Sequence, residues 1–282
     1  MEIVSEIGKM KAITQEAAAR GQRIGSVPTM GALHEGHLSL VRRARERSDL
    51  VVASVFVNPA QFGPNEDYTR YPRNLEADAA QLAREGVDCL FAPSLEEIYP
   101  PGYATYVEVE GLSDRLCGKS RPGHFRGVTT VVLKLFEIVS PDYAFFGQKD
   151  AQQVVIIKKM VEDLNLDVEI IVCPIVREAD GLAMSSRNNY LNAEERAAAT
   201  ILYKALQRAR QMIDAGARNA EEIVQAMRAM IENEPRARID YVEIANAKTL
   251  KPLTTLTGEC LIALAVFVGP ARLIDNLVVQ CG

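Results

Sequence analysis

Ile24-Gly25-Ser26-Val27-Pro28-Thr29-Met30-Gly31-Ala32-Leu33-His34-Glu35-Gly36-His37 joins a short apolar run to two histidines that bracket Glu-Gly. Ile24 to Val27 has strand character, and the histidine segment predicts the start of a helix. That junction is where an α/β protein holds phosphate. The carboxyl ends of parallel strands face a crevice, and helix N-termini there present free N–H groups and the positive end of a dipole. Gly31 and Gly36 let backbone and ligand approach closely, while His34 and His37, three residues apart, fall on one helical face. A tight turn with one capping histidine and a zinc site are the alternatives left open by these residues alone. Zinc normally wants roughly three or four protein ligands, and no cysteine pair stands nearby.

The chain has 282 residues, 48% of them hydrophobic, enough for a sizeable core and for two domains. Thirty-two basic against 37 acidic residues give a formal net charge of −5, which argues against a general nucleic-acid surface. An anionic substrate must therefore meet local positive charge. Cys89, Cys117, Cys173, Cys260 and Cys281 are odd in number and widely spaced, which suits reduced thiols and a cytoplasmic setting. Met1 to Glu6 lacks a basic region followed by an apolar stretch, and runs such as Leu261 to Val268 fall far short of the ~18 residues of a membrane span. No membrane partner is expected.

Through the first two-thirds, apolar runs alternate with helix-like stretches, a rhythm of βαβ units. Leu50 to Val57 reads as a buried strand. Leu38 to Arg47 before it reads as a helix with Leu38, Val41 and Ala44 inward and Arg42, Arg43, Arg45 and Arg47 solvated. Asn58-Pro59-Ala60-Gln61-Phe62-Gly63-Pro64 is a loop at a strand's carboxyl end, so Asn58 and Gln61 are placed for a ligand or for loop capping. Asn74 to Glu85 reads as a helix and Val87 to Phe91 as a strand. Arg121-Pro122-Gly123-His124-Phe125-Arg126-Gly127 precedes a helix-like run, Val128 to Ile138; its basic groups either grip an anion or are solvated. Tyr143 to Phe146 is a further strand, followed at once by Gly147-Gln148-Lys149-Asp150. Lys149 and Asp150 either pair with one another or, since neighbours on a helix do not face each other, make separate ligand contacts, and Gln153 can share a face with Asp150.

Val168 to Val172 makes another strand, and Pro174 to Gly181 then breaks the rhythm and reads as a hinge. Met184-Ser185-Ser186-Arg187-Asn188 follows, with hydroxyls beside a guanidinium that make a phosphate clamp. Asn192 to Glu195 reads as a capping box opening a helix, and Asn219 with Glu222 opens a second that stops before Pro235. Ile239 to Ala245 and Cys260 to Val268 read as antiparallel strands. The expectation is an α/β fold, a Rossmann-like parallel sheet with helices on both faces over 1–175, plus a smaller C-terminal α+β lid domain over 176–282.

Taken together, Pro-Thr-Met-Gly-Ala-Leu-His-Glu-Gly-His, Phe-Val-Asn-Pro-Ala-Gln-Phe, Arg-Pro-Gly-His-Phe, Phe-Phe-Gly-Gln-Lys-Asp and Met-Ser-Ser-Arg-Asn resemble the pantothenate synthetase (pantoate–β-alanine ligase) family over essentially the whole chain. The resemblance implies ATP-dependent joining of pantoate to β-alanine, through a pantoyl adenylate, with release of AMP and pyrophosphate. It also implies catalytic roles for His34, His37 and Lys149, with His37 as proton donor toward pyrophosphate. Met30, Gly31, Ala32, Leu33, His34, Glu35, Gly36 and His37 would wrap ATP. Gly147, Gln148, Lys149 and Asp150 would hold ribose and phosphates, Val176 would meet adenine through its backbone, and Met184, Ser185, Ser186 and Arg187 would close on the triphosphate. Gln61 and Gln153, aided by Asn58 and Arg121, would bind pantoate. Mg²⁺ is implied with the nucleotide; its protein ligands stay unknown, with Asp78 and Gln81 in the relevant stretch. A homodimer is implied too. The rival activities are transfer of AMP to a phosphorylated acceptor and nucleotide binding without turnover.

Overall fold

Strands buried on both faces show no alternation of polarity, and Val27, Val51, Val52, Ala53, Ala144 and Phe145, at 0–1% exposure, behave in this way. The computed structural model describes residues 1–64 and 66–282. Its elements run β1 (Glu2–Val4), α1 (Ile7–Ala19), β2 (Ile24–Thr29), α2 (Glu35–Arg47), β3 (Leu50–Val55), α3 (Leu75–Arg84), β4 (Cys89–Phe91), α4 (Leu95–Ile98), α5 (Leu116–Ser120), α6 (His124–Val139), β5 (Tyr143–Gly147), α7 (Ala151–Asp163) and β6 (Glu169–Cys173). They continue through α8 (Ala193–Ala198), α9 (Ile201–Asp214), α10 (Ala220–Glu232), β7 (Ala237–Asn246), β8 (Gly258–Val268) and β9 (Ala271–Cys281). Two compact units result. One gathers Met1–Ser113, Arg121–Gly147 and Ile156–Pro174; the other gathers Asp114–Ser120, Gln148–Val155 and Ile175–Gly282.

In the first unit six parallel strands are ordered β1-β4-β3-β2-β5-β6. The chain moves outward from β2 through β3 on one side and returns to β5 on the other, so β2 and β5 flank the switch point at which open α/β sheets bind ligands. The helix after β2 buries Leu40, Val41 and Ala44. Leu40 thus takes the inward place expected of Leu38, which is only half-buried. Its arginines are held by acids, as a solvated face should be: Arg42 pairs with Glu35 and Glu85, Arg43 with Glu46 and Arg45 with Asp88.

The second unit sets α9 and α10 against an antiparallel β7–β8–β9 sheet around Leu202, Leu206, Ile223, Met227, Ile262 and Leu264. Asn192 and Glu195 do form a reciprocal capping box. The helix it opens, however, breaks after Ala198 and restarts at Ile201. The unit also takes in 114–120 and 148–155, for a visible reason: Gln152 accepts from the Cys117 N–H at 2.9 Å and donates to the Arg115 carbonyl at 2.7 Å. Tyr241 and Asp240 hold Cys117 and Ser120 at 3.2 and 2.9 Å.

Back in the first unit, α6 lies so close to the 59–61 turn that a Cβ at Gly127 would overlap the Ala60 carbonyl. Substituting Gly127→Ala is expected to destabilise the protein by about 1–3 kcal/mol, the usual cost of overpacking, measurable by urea unfolding. An unchanged midpoint would show that the contact can relax.

Candidate active site

The chain turns from β2 into α2 through two consecutive left-handed residues, Gly31 at φ +79° and Ala32 at φ +51°. Glycine suits the first position for a second reason: a Cβ there would come within 2.7 Å of Asp78 Oδ2 and 3.0 Å of Val55 Cγ1. Alanine has no such freedom, and its conformation costs about 1–3 kcal/mol unless the surroundings enforce it. Asp78 enforces it. From the first turn of α3, its Oδ2 accepts from the Ala32 N–H at 3.0 Å and its Oδ1 from the Leu33 N–H at 2.9 Å. The carboxylate is 3% exposed. Thr29 completes the turn, accepting from the Gly31 N–H at 3.1 Å and donating to the Ser54 carbonyl at 2.7 Å.

The turn delivers His34 as the N-cap of α2. Its Nδ1 accepts from the Gly36 N–H at 3.1 Å, and its own N–H donates to His37 Nδ1 at 3.4 Å. The two rings lie 4.1 Å apart between centroids. Both Nδ1 atoms are acceptors, so in the neutral form both rings carry their proton on Nε2. The capping role and the ligand role are therefore compatible. Two imidazole Nε2–H donors stand at the positive end of a helix, an arrangement suited to an oxyanion. Glu35, by contrast, is exposed and paired with Arg42.

Gln61 stands beside this turn, its Nε2 donating to Met30 Sδ at 2.9 Å. It is held from behind. Asn58, 1% exposed, donates to Gln61 Oε1 and to the Gly127 carbonyl, both at 3.0 Å, and accepts from the Ala60 N–H at 3.3 Å and the Tyr99 hydroxyl at 2.8 Å. The His124 Nδ1–H donates to the Gln61 carbonyl at 2.7 Å and Arg121 donates to His124 Nε2 at 3.1 Å. The Arg121 guanidinium is itself engaged by both oxygens of Glu66, at 2.6 and 2.5 Å. Burial raises the Glu66 carboxyl, but Arg121 outweighs it and holds the group below its usual range. Hence Arg121 meets a resident carboxylate, and Asn58 spends its amide inside the protein. Tyr99 and Glu66 went unnoticed in the sequence because nothing local marks a partner 41 or 55 residues away.

In the second unit Lys149 lies in the 3-10 turn Gln148–Asp150. Its Nζ is 3.5 Å from Asp150 Oδ2, the pairing that the sequence left open beside separate ligand contacts. Gln153 is half-buried in the first turn of α7. Within the segment read as a hinge, a closed hairpin runs from Val176 onward. The Val176 carbonyl accepts from the Met184 N–H at 3.0 Å, Arg177 bridges Ala183, and Gly181 turns at φ +92°. Arg177 locks it through a bidentate pair with Asp275 at 2.6 and 2.9 Å and a donation to the Gly181 carbonyl at 3.0 Å. Burial pushes the Asp275 carboxyl upward against the pull of Arg177. Ser185 then caps the 186–190 turn, accepting from the Arg187 N–H at 3.3 Å, with Ser186 buried behind it.

The profile of the family described as Pantoate-beta-alanine ligase matches residues 2–278. The chain belongs to that family. Among curated ligases, the pantothenate synthetase of Caldicellulosiruptor saccharolyticus is 57% identical over 99% of this chain and 100% of its own length. That of Pelotomaculum thermopropionicum is 59% identical over 99% of both. A pantothenate synthetase from Thermus thermophilus superposes with a TM-score of 0.93 at 48% identity, covering 98% of this chain and 99% of that one. A ligase from Francisella tularensis, solved with Beta-gamma ATP and β-alanine, superposes with a TM-score of 0.81 at 38% identity, covering 99% and 97%.

The ligase has no group of three or more His, Cys, Asp or Glu able to hold a metal ion among the described residues. Asp78, the acid that latches the histidine turn, commits both oxygens to backbone N–H groups. Also among the described residues, no helix is long and apolar enough to cross a membrane. Asp78→Ala is expected to lower stability by about 2–4 kcal/mol, because two buried N–H groups lose a charged acceptor. It should also weaken ligase activity at temperatures where the variant stays folded. Thermal unfolding and rate measurements check both; an active, fully stable variant would remove the latch role.

Proposed function

We propose that this ligase activates pantoate with ATP and then transfers the pantoyl group to β-alanine. In the first step a pantoate carboxylate oxygen attacks the α-phosphorus, the bond to the β-phosphate oxygen breaks, and pyrophosphate leaves. In the second the β-alanine amine attacks the acyl carbon, AMP leaves with the bonding pair, and the amine proton passes to solvent. The observation that carries this is the pair of Nε2–H donors of His34 and His37 at the N-terminus of α2. They suit charge gathering on the departing phosphates, and His37 can supply a proton there. The Francisella relative, solved with an ATP compound and β-alanine, supports the same substrates here.

Met30, Gly31, Ala32, Leu33, Glu35 and Gly36 line the nucleotide through the backbone of the turn and helix start. Gly147, Gln148 and Asp150 take ribose and phosphate, Val176 takes adenine, and Met184, Ser185, Ser186 and Arg187 take the outer phosphates, with Lys149 as the main cation. Gln61 and Gln153 bind pantoate directly; Asn58 and Arg121 fix Gln61 from behind. Magnesium arrives as the counter-ion of ATP and so belongs to the substrate. The family resemblance extends this to a cytoplasmic homodimer acting on small molecules alone.

ATP and pantoate together are expected to release pyrophosphate, with AMP and pantothenate following only when β-alanine is added. A product that keeps the nucleotide would establish AMP transfer instead. Lys149→Ala should lower turnover by roughly 10²–10³ and His37→Ala by about 10²–10⁴, both with folding intact. Wild-type turnover in either variant would remove that residue from the chemistry.

A further inference from the structure

Lys149 sits in a turn with little structure of its own. Gln148–Asp150 is a three-residue 3-10 winding between β5 and α7, too short to hold the backbone under a lysine in one direction by its own hydrogen bonds. The missing restraint comes from β9. Asn276, 3% exposed, donates from Nδ2 to the Gln148 carbonyl at 2.9 Å and to the Lys149 carbonyl at 3.0 Å, while its Oδ1 accepts from Gln148 Nε2 at 3.1 Å. Both amide hydrogens and the amide oxygen are thus spent on this one turn.

Packing gives no reason for an amide there. Asn276 pairs across the sheet with Ala263, whose same-face neighbours on β8 are the buried Leu261 and Ala265, and an aliphatic side chain would serve such a place better. The preceding residue keeps the site in register. Asp275 takes the Arg177 guanidinium through both oxygens, and its Oδ1 also accepts from the Asn276 N–H at 2.8 Å. We propose that Asn276 is the positioning residue for Lys149, fixing the Gln148–Asp150 backbone so that the ammonium meets phosphate from one defined place. This rests on the role assigned to Lys149 above. No common substitute repeats the pattern: serine reaches one carbonyl at most, and aspartate would turn a charge toward two carbonyl oxygens.

The test is a double-mutant cycle on the full-length ligase, read as pyrophosphate release from ATP and pantoate in a single turnover. Asn276→Ala is expected to slow release by about 10- to 100-fold, since displacement of a charged group by an ångström suffices for that. In the Lys149→Ala background the same substitution should change the rate by less than about twofold. Equal losses in both backgrounds, which a general structural role would produce, overturn the assignment, as does a wild-type rate for Asn276→Ala. Should thermal unfolding show that Asn276→Ala does not fold, Asn276→Ser enters the same cycle. It should give an intermediate loss that disappears without Lys149, and a loss that persists overturns the assignment. A wild-type rate for Lys149→Ala alone would instead remove the role of Lys149 itself.

Discussion

A buried carboxylate accepting two backbone N–H groups governs the geometry of the first unit. Without Asp78, Ala32 has no reason to sit at φ +51°, and the chain leaving β2 would not turn sharply enough to present His34 as a helix cap. The contact joins α3 to the end of β2 across 46 residues of chain. It stores strain in the turn and returns order to it, a trade that recurs where proteins hold charged ligands. The orientation of both imidazoles follows. Each Nδ1 accepts from the backbone, which assigns the proton of each neutral ring to Nε2.

Gln61 follows the same logic by different means. A surface amide would rotate freely, but here Asn58 takes its oxygen and thereby decides which way its NH2 points. Asn58 is in turn oriented by the Tyr99 hydroxyl, and the Gln61 carbonyl is gripped by His124. Chains of satisfied polar groups of this kind are expensive to leave half-made, which explains why so many amides and hydroxyls lie buried near one loop. The second unit repeats the scheme on β9, where Asp275 serves the 177–181 hairpin and Asn276 serves the turn bearing Lys149.

Much of this was legible in the residues. The alternation of apolar runs predicted the parallel sheet and α+β appendage, and the decapeptide ending at His37 placed two imidazoles at a helix start. The capping box at Asn192 formed as its spacing predicts. The departures have local causes. Helix α2 begins at Glu35 and turns Leu40 rather than Leu38 inward, and the helix opened at Asn192 breaks after Ala198 and restarts at Ile201. β9 escaped notice because Asp275 and Asn276 interrupt its apolar pattern, although both prove to be buried.

Short-range physics, then, was written in the chain itself: strand and helix periods, caps, glycine turns, and residue types whose chemistry suits phosphate and a carboxylic acid. Tertiary structure decided which polar groups remain available to a ligand and which are consumed by the protein. Asn58 and Arg121 look alike with Gln61 in sequence, as polar side chains on loops. Only folding brings Tyr99 and Glu66 against them, because the hydrogen bond and the ion pair that engage them join residues far apart along the chain.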